Sequence, residues 1–179
     1  MVDPVTARRL AGWALYLLIA FALIAIRLMP LSGGALAFPG PDLVVALTLA
    51  WVLRRPDQVP MLLIALVVLA EDILLMRPPG LWAMLTVLGA EFVRARESSW
   101  RDLPFLAEWA LVGIVMAGMM LAGRAVMAVT FNPQPPLGQS MLQLLATLAA
   151  FPLIVVAARM ILGLRRAATG EVDQYGHRR

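Results

Sequence analysis

The sequence predicts an all-α membrane protein, folded as a bundle of about six transmembrane helices. Hydrophobic residues make up 61% of the 179 residues, and the mean hydropathy is +0.84. A soluble domain is only about half apolar. The apolar residues also form runs near the ~20 residues that a helix needs to cross a bilayer, and Pro, Gly and Arg separate these runs. The fold class follows from these observations.

The first predicted span runs from about Leu10 to Leu28, and a loop rich in Pro and Gly follows it. The second span, about Asp42 to Leu53, covers only ~18 Å, which is short for a ~30 Å hydrocarbon core. Pro41-Asp42 is typical of a helix start, because a carboxylate there lies near the positive end of the helix dipole. Arg54-Arg55-Pro56 predicts a tight turn into the third span.

The remaining spans alternate with short polar segments. They are predicted at about Val59 to Met76, Pro79 to Val93, Leu103 to Phe131 and Ser140 to Leu164. Together the six spans form one domain, residues 1–164. Residues 165–179 are a polar tail, which we expect to be disordered in the cytoplasm.

The distribution of arginine predicts the topology. All fifteen cationic residues are Arg. With both termini in the cytoplasm, eleven of them lie on the cytoplasmic side, whereas only Arg27 and Arg77 lie outside. This is the bias of the positive-inside rule. Because the charges mark helix ends, the sequence pI near 10.9 does not indicate nucleic-acid binding.

Composition argues against several kinds of chemistry. The chain has no Cys and one His, so disulfides, thiolate metal sites and a His-based relay are not expected. It has no Gly-rich phosphate loop, nucleophile elbow or HExxH motif. We therefore predict a protein that is not an enzyme and holds neither a cofactor nor a metal.

An acidic pair inside the third span is the principal candidate site. Glu71 and Asp72 lie in its outer third, where a carboxylate costs a few kcal/mol. Adjacent residues project about 100° apart on a helix, so we expect one carboxylate to face the bundle and the other a neighbour or a lipid-exposed groove. Three roles remain open: a structural bridge between helices, docking of a partner's transmembrane helix or ordering of the external hairpin, and an ion or proton relay.

Other charged residues have predicted partners. Arg124 lies at a similar depth in the fifth span, and it either pairs with Asp72 or Glu71 or snorkels to the outer interface. Pairs at the inner interface, Glu91 with Arg94 and Glu108 with Arg101, account for the remaining acidic groups in the spans. Gly118 and Ala122 have the small-xxx-small spacing of close helix contacts.

The third span contains Ala70-Glu71-Asp72, and the turn after it is Arg77-Pro78-Pro79-Gly80. This stretch resembles the MreD family of bacterial rod shape-determining proteins. That family has a helix that carries an Asp, followed by a short turn with Pro and Gly that opens the next helix. Pro41-Asp42 and Arg54-Arg55-Pro56 match the family upstream. Val68 and Met76 stand where the family usually has Gly. The resemblance covers about residues 41–96.

The resemblance implies a non-enzymatic scaffold of the cell-elongation machinery, located as a multi-pass protein in the bacterial inner membrane. It implies MreC, a bitopic membrane protein, as direct partner. The actin-like filament MreB, the polymerase RodA and its transpeptidase are implied as indirect partners, and a homodimer is compatible with it. The implied fold is similar to the S components of ECF vitamin transporters. The alternative function is therefore a solute-binding subunit of such a transporter.

Overall fold

The computed structural model describes residues 4–29, 40–96 and 103–162. Within these ranges the chain forms six α-helices and one short 3-10 helix, without strands. The α-helices are α1 (Pro4–Leu28), α2 (Leu43–Val52), α3 (Met61–Leu74), α4 (Leu81–Ala95), α5 (Phe105–Val129) and α6 (Leu137–Leu162), and the 3-10 helix is Pro56–Gln58. The predicted helical class is confirmed, and each predicted span contains one helix. Arg101 and the polar tail lie outside the described residues.

Three helices, α1, α5 and α6, are long and apolar enough to cross a membrane. The other three have 10, 14 and 15 residues, which corresponds to about 15–22 Å. They are shorter than the ~30 Å hydrocarbon core of a bilayer. A crossing by all six helices therefore stays a prediction.

Helices that follow one another in the chain run in opposite directions. The end of α1 meets the start of α2 through Arg27 and Asp42, and the end of α3 meets the start of α4 through Asp72 and Gly80. We call this end of the bundle the Asp42 end. The opposite end, where Arg54 after α2 bonds Glu108 in the first turn of α5, is the Arg54 end.

Helix α2 is the centre of the bundle. Nine of its ten residues are buried, against α1, α4 and α6. A helix that is apolar on all sides needs such enclosure. Its one internal polar group, the Thr48 hydroxyl, lies 2.8 Å from the Tyr16 hydroxyl of α1. The Tyr16 ring in turn meets Trp51 edge-on, with 5.7 Å between ring centroids.

Glycines bring α4 and α5 close together. A Cβ at Gly89 would lie 2.8 Å from the Met119 sulfur and 3.3 Å from Val115. At Gly123 it would lie 3.1 Å from Leu85. Gly118, by contrast, has no atom within 4 Å of such a Cβ. The small-xxx-small spacing at Gly118 therefore marks no close contact with another described helix.

Candidate functional site

Four charged side chains form a cluster at the Asp42 end, which we call the quartet: Arg27, Asp42, Glu71 and Arg77. Arg27 Nη1 lies 2.8 Å from Glu71 Oε1 and 3.1 Å from Asp42 Oδ2. Arg77 Nη2 lies 3.5 Å from Asp42 Oδ2 and 4.0 Å from Glu71 Oε1. Each carboxylate therefore has two guanidinium neighbours, and the formal charges of the quartet cancel. Buried charges are retained in proteins when they are paired in this way.

The quartet joins elements that are distant in sequence. Arg27 comes from the last turn of α1, Asp42 precedes α2, Glu71 lies in the last turn of α3, and Arg77 lies in the turn to α4. Glu71 is completely buried. Because the same two arginines serve both carboxylates, the ends of three helices are fixed relative to one another.

Asp42 also organises its own helix. Its Oδ1 accepts a hydrogen bond from the Val45 amide at 3.3 Å, which is the usual cap of a helix N-terminus. Its own amide donates to the Thr147 hydroxyl of α6 at 2.8 Å. The predicted helix start at Asp42 is confirmed. The same residue links α2 to the quartet and to α6.

Asp72 has a different function from its neighbour Glu71. Its Oδ2 accepts hydrogen bonds from the amides of Gly80, at 3.1 Å, and of Ala83, at 3.3 Å. These amides open α4, whose N-cap residue Gly80 has no side chain to satisfy them. The carboxylate of α3 therefore caps the following helix. Asp72 and Gly80 are eight residues apart, and this spacing lets the Asp72 carboxylate reach the amides at the start of α4.

The turn between α3 and α4 needs two unusual backbone conformations. Gly80 has a φ of +88° and Met76 a φ of +52°, both in the left-handed region. Glycine adopts this region without steric cost, whereas other residues pay about 1–2 kcal/mol. Pro78 and Pro79 lie between them and cannot continue a helix.

The structure excludes one of the two alternatives in each of two expectations about the acidic pair. Glu71 and Asp72 are both completely buried, so the second carboxylate faces a neighbouring helix and not a lipid-exposed groove; the 100° between them points Glu71 to α1 and α2 and Asp72 to α4. Arg124 pairs with neither. Its Nη1 donates to the Pro135 carbonyl at 3.0 Å and to the Ser140 hydroxyl at 3.1 Å. Arg27 and Arg77 already occupy the positions around Glu71.

Charged contacts also hold the Arg54 end. Arg54 Nη2 donates to Glu108 Oε1 at 3.0 Å, and both side chains are almost completely buried. Arg55, next in sequence, is exposed. The predicted pair of Glu91 and Arg94 is confirmed. Arg101, the predicted partner of Glu108, lies outside the described residues.

A cavity of about 80 Å³ lies beside the quartet, between α2, α4, α5 and α6. Its floor is apolar and includes four methionine side chains of α5 and the Trp82 ring. Its polar lining comes from Asp42, Arg124 and three side chains of α6. The α5 methionines are Met116, Met119, Met120 and Met127, and the α6 side chains are Ser140, Gln143 and Thr147.

Sequence reasoning missed Arg27 and Thr147 as site residues. Arg27 was interpreted only as one of two external arginines in the charge count, although it makes the shortest ion pair of the quartet, at 2.8 Å. Its position one residue before the end of an apolar run was the available signal. Thr147 carries no pattern of its own, because its role depends on the parallel packing of α6 on α2.

The chain was compared with known proteins at three levels. It matches no protein-family model, no curated protein and no solved structure.

Proposed function

We propose that this chain is a scaffold of the bacterial cytoplasmic membrane, which binds the transmembrane helix of a partner protein in the manner of the MreD family. The observation that carries the proposal is the quartet with the adjacent Asp72 cap. Both carboxylates of the acidic pair are occupied by partners inside the chain. These contacts fix the positions of the helices relative to one another. A scaffold needs such a fixed surface to bind its partner.

The physical argument starts from the cost of buried charge. Removing ions from water costs several kcal/mol per ion, and the cost is offset only by good geometry. A bundle that buries a balanced quartet at one end gains specificity in how its helices meet. In this proposal all six helices cross the membrane, and the Asp42 end faces away from the cytoplasm. The expected partners are a bitopic protein of the MreC type and, through it, MreB, RodA and its transpeptidase.

The rival function, a vitamin-binding transporter subunit, needs a cavity that encloses its solute. The cavity at the Asp42 end measures about 80 Å³. An apolar cavity that binds benzene has about 150 Å³, and a vitamin is larger than benzene. The size therefore favours the scaffold over the transporter subunit.

Depletion of the chain in its host, combined with affinity purification, tests the proposal. We expect depleted cells to lose their rod shape, and the tagged chain to recover a bitopic membrane protein. An Arg27→Gln variant should recover less of that partner per molecule of chain in the membrane, and Arg9→Gln, an exposed change on the same helix, should recover as much as the wild type. Normal cell shape together with a specific defect in vitamin uptake would overturn the proposal in favour of its rival.

A further inference from the structure

We infer that the cavity at the Asp42 end receives one short acidic segment of the partner protein. An aliphatic side chain of that segment fills the methionine-lined floor, and a neighbouring Asp or Glu binds Arg124. The inference rests on the proposed function, because it names the chemistry by which the scaffold recognises its partner.

The floor sets the size of the aliphatic group. By comparison with the ~150 Å³ that holds the six carbons of benzene, a volume of about 80 Å³ accepts roughly three or four carbon atoms. This is the size of a Val, Leu or Ile side chain. Methionine suits such a floor, because its flexible thioether adapts to the shape of an incoming group.

The rim sets the charge of the segment. Arg124 has no carboxylate within 4.0 Å among the described residues, whereas Arg54 and Arg94 each have one, and Arg27 and Arg77 each have two. Both of the hydrogen bonds that its guanidinium makes there use Nη1. A guanidinium has a fork of five donors that matches a carboxylate in two-point contact. The Nη2 and Nε donors therefore suit a carboxylate from outside the chain.

Asp42 is the other charged residue of the lining, and it does not cancel this attraction. Its carboxylate already lies beside Arg27 and Arg77, so the quartet adds no net formal charge to that wall. The remaining polar groups of the lining are uncharged. The cavity is therefore a site with one uncompensated positive charge above an apolar floor.

A protein segment fits these features better than a lipid does. Arg124 lies five residues before the last residue of α5, which is about 7–8 Å along the helix axis. A lipid phosphate bound to Arg124 would lie deeper in the membrane than the phosphates of the surrounding lipids. An acyl chain is also far longer than the cavity. A folded partner can place one side chain and one carboxylate at that depth.

Co-purification with cavity variants tests the inference. We expect Met120→Trp, which fills the floor, and Arg124→Glu, which reverses the rim charge, each to lower the recovered partner at least tenfold. Leu121→Trp is the matched control for the first, because Leu121 directly follows Met120 in α5, is 59% exposed and does not line the cavity. Arg9→Glu is the control for the second, since it reverses the charge of an exposed arginine on α1 that does not line the cavity. Both controls should recover the partner as the wild type does.

A reciprocal change identifies the contact. Each Asp and Glu in the outer half of the partner is changed to Arg in turn. We expect one of these changes to restore the recovery of the partner by the Arg124→Glu chain. Leu144→Trp, which fills the cavity from α6, repeats the floor test if Met120→Trp lowers the amount of folded chain. Native mass spectrometry of the purified chain that finds a lipid or a small organic acid lost only in Arg124→Glu would overturn the inference.

The two proposals fail in different ways. If the wild-type chain recovers no membrane partner, the scaffold function is wrong. If it recovers one, and if Met120→Trp, Leu144→Trp and Arg124→Glu recover as much, the function stands and the cavity is not the docking site.

Discussion

Glu71 and Asp72 are adjacent in α3, but their carboxylates have different structural roles. Glu71 reaches the arginines of the quartet, whereas Asp72 reaches the amides that open α4. The sequence identified both residues, because acidic groups in an apolar run are conspicuous. It did not identify Arg27 as the partner of Glu71, because an Arg at a helix end is explained equally well by the positive-inside rule. Arg27 and Glu71 are 44 residues apart in the chain, so no local sequence pattern connects them.

The cap on α4 can be tested at a single residue. Asp72→Ala removes the acceptor for the Gly80 and Ala83 amides, and we expect it to lower the free energy of unfolding by about 1–2 kcal/mol, as loss of an N-cap does. Asp72→Asn keeps an acceptor oxygen and should lose less than half as much. Unfolding in mixed detergent micelles measures both. Equal losses in the two variants would show that the charge, and not the acceptor, is what α4 requires.

The ion pair between Arg27 and Glu71 can be tested by a double-mutant cycle. Arg27→Gln leaves the carboxylates of Glu71 and Asp42 each with one guanidinium fewer, and we expect a loss of about 3–5 kcal/mol in the free energy of unfolding. Glu71→Gln should also destabilise the chain, but the double variant should lose clearly less than the sum of the two. Strict additivity would mean that the two side chains do not interact.

At the scale of helices, the sequence predicted where elements begin and end better than how they pack. Pro41-Asp42 and the Arg77–Gly80 turn fixed the starts of α2 and α4, because capping groups and prolines act locally. The burial of α2 on all sides was not predicted, since a short apolar helix could also face lipid. The small-xxx-small spacing at Gly118 was misleading, because close contact needs a facing helix and not only a small residue.

Two glycines give a matched test of helix packing. Gly89→Leu should force α4 and α5 apart, because its Cβ would lie 2.8 Å from the Met119 sulfur and 3.3 Å from Val115. We expect a loss of about 1–3 kcal/mol in the free energy of unfolding, which is typical of overpacking. Gly118→Leu has open space and should be neutral or stabilising, since Leu favours a helix over Gly. The contacts between α4 and α5 would be disproved if both variants behaved alike.

On the scale of the whole molecule, buried ion pairs join the helices at both ends of an apolar bundle. The quartet closes the Asp42 end, and Arg54 with Glu108 closes the Arg54 end. The described helices alternate in direction, and a crossing of the membrane by all six of them stays a prediction of the arginine count. The count could not say which arginines are buried, because it treats Arg54 and Arg55 alike while the structure encloses one and exposes the other.

The lack of native cysteine makes the topology easy to test. Single changes Asp57→Cys and Gln139→Cys replace exposed residues, the first at the Arg54 end and the second near the start of α6 at the Asp42 end. In whole cells with a permeable outer layer, we expect a membrane-impermeant maleimide to label Gln139→Cys only. After the inner membrane is opened, Asp57→Cys should label as well. The reverse pattern would invert the proposed orientation.

The quartet also has a consequence for biosynthesis. Arg27 is translated before Asp42, and Glu71 follows Arg27 by 44 residues. Until α3 leaves the ribosome, α1 carries an arginine without its closest counter-ion, and α2, with 10 residues, is too short to be held in a bilayer alone. In the proposed six-span arrangement, we therefore expect α1 and α2 to reach their final depth only when Glu71 is available to pair with Arg27.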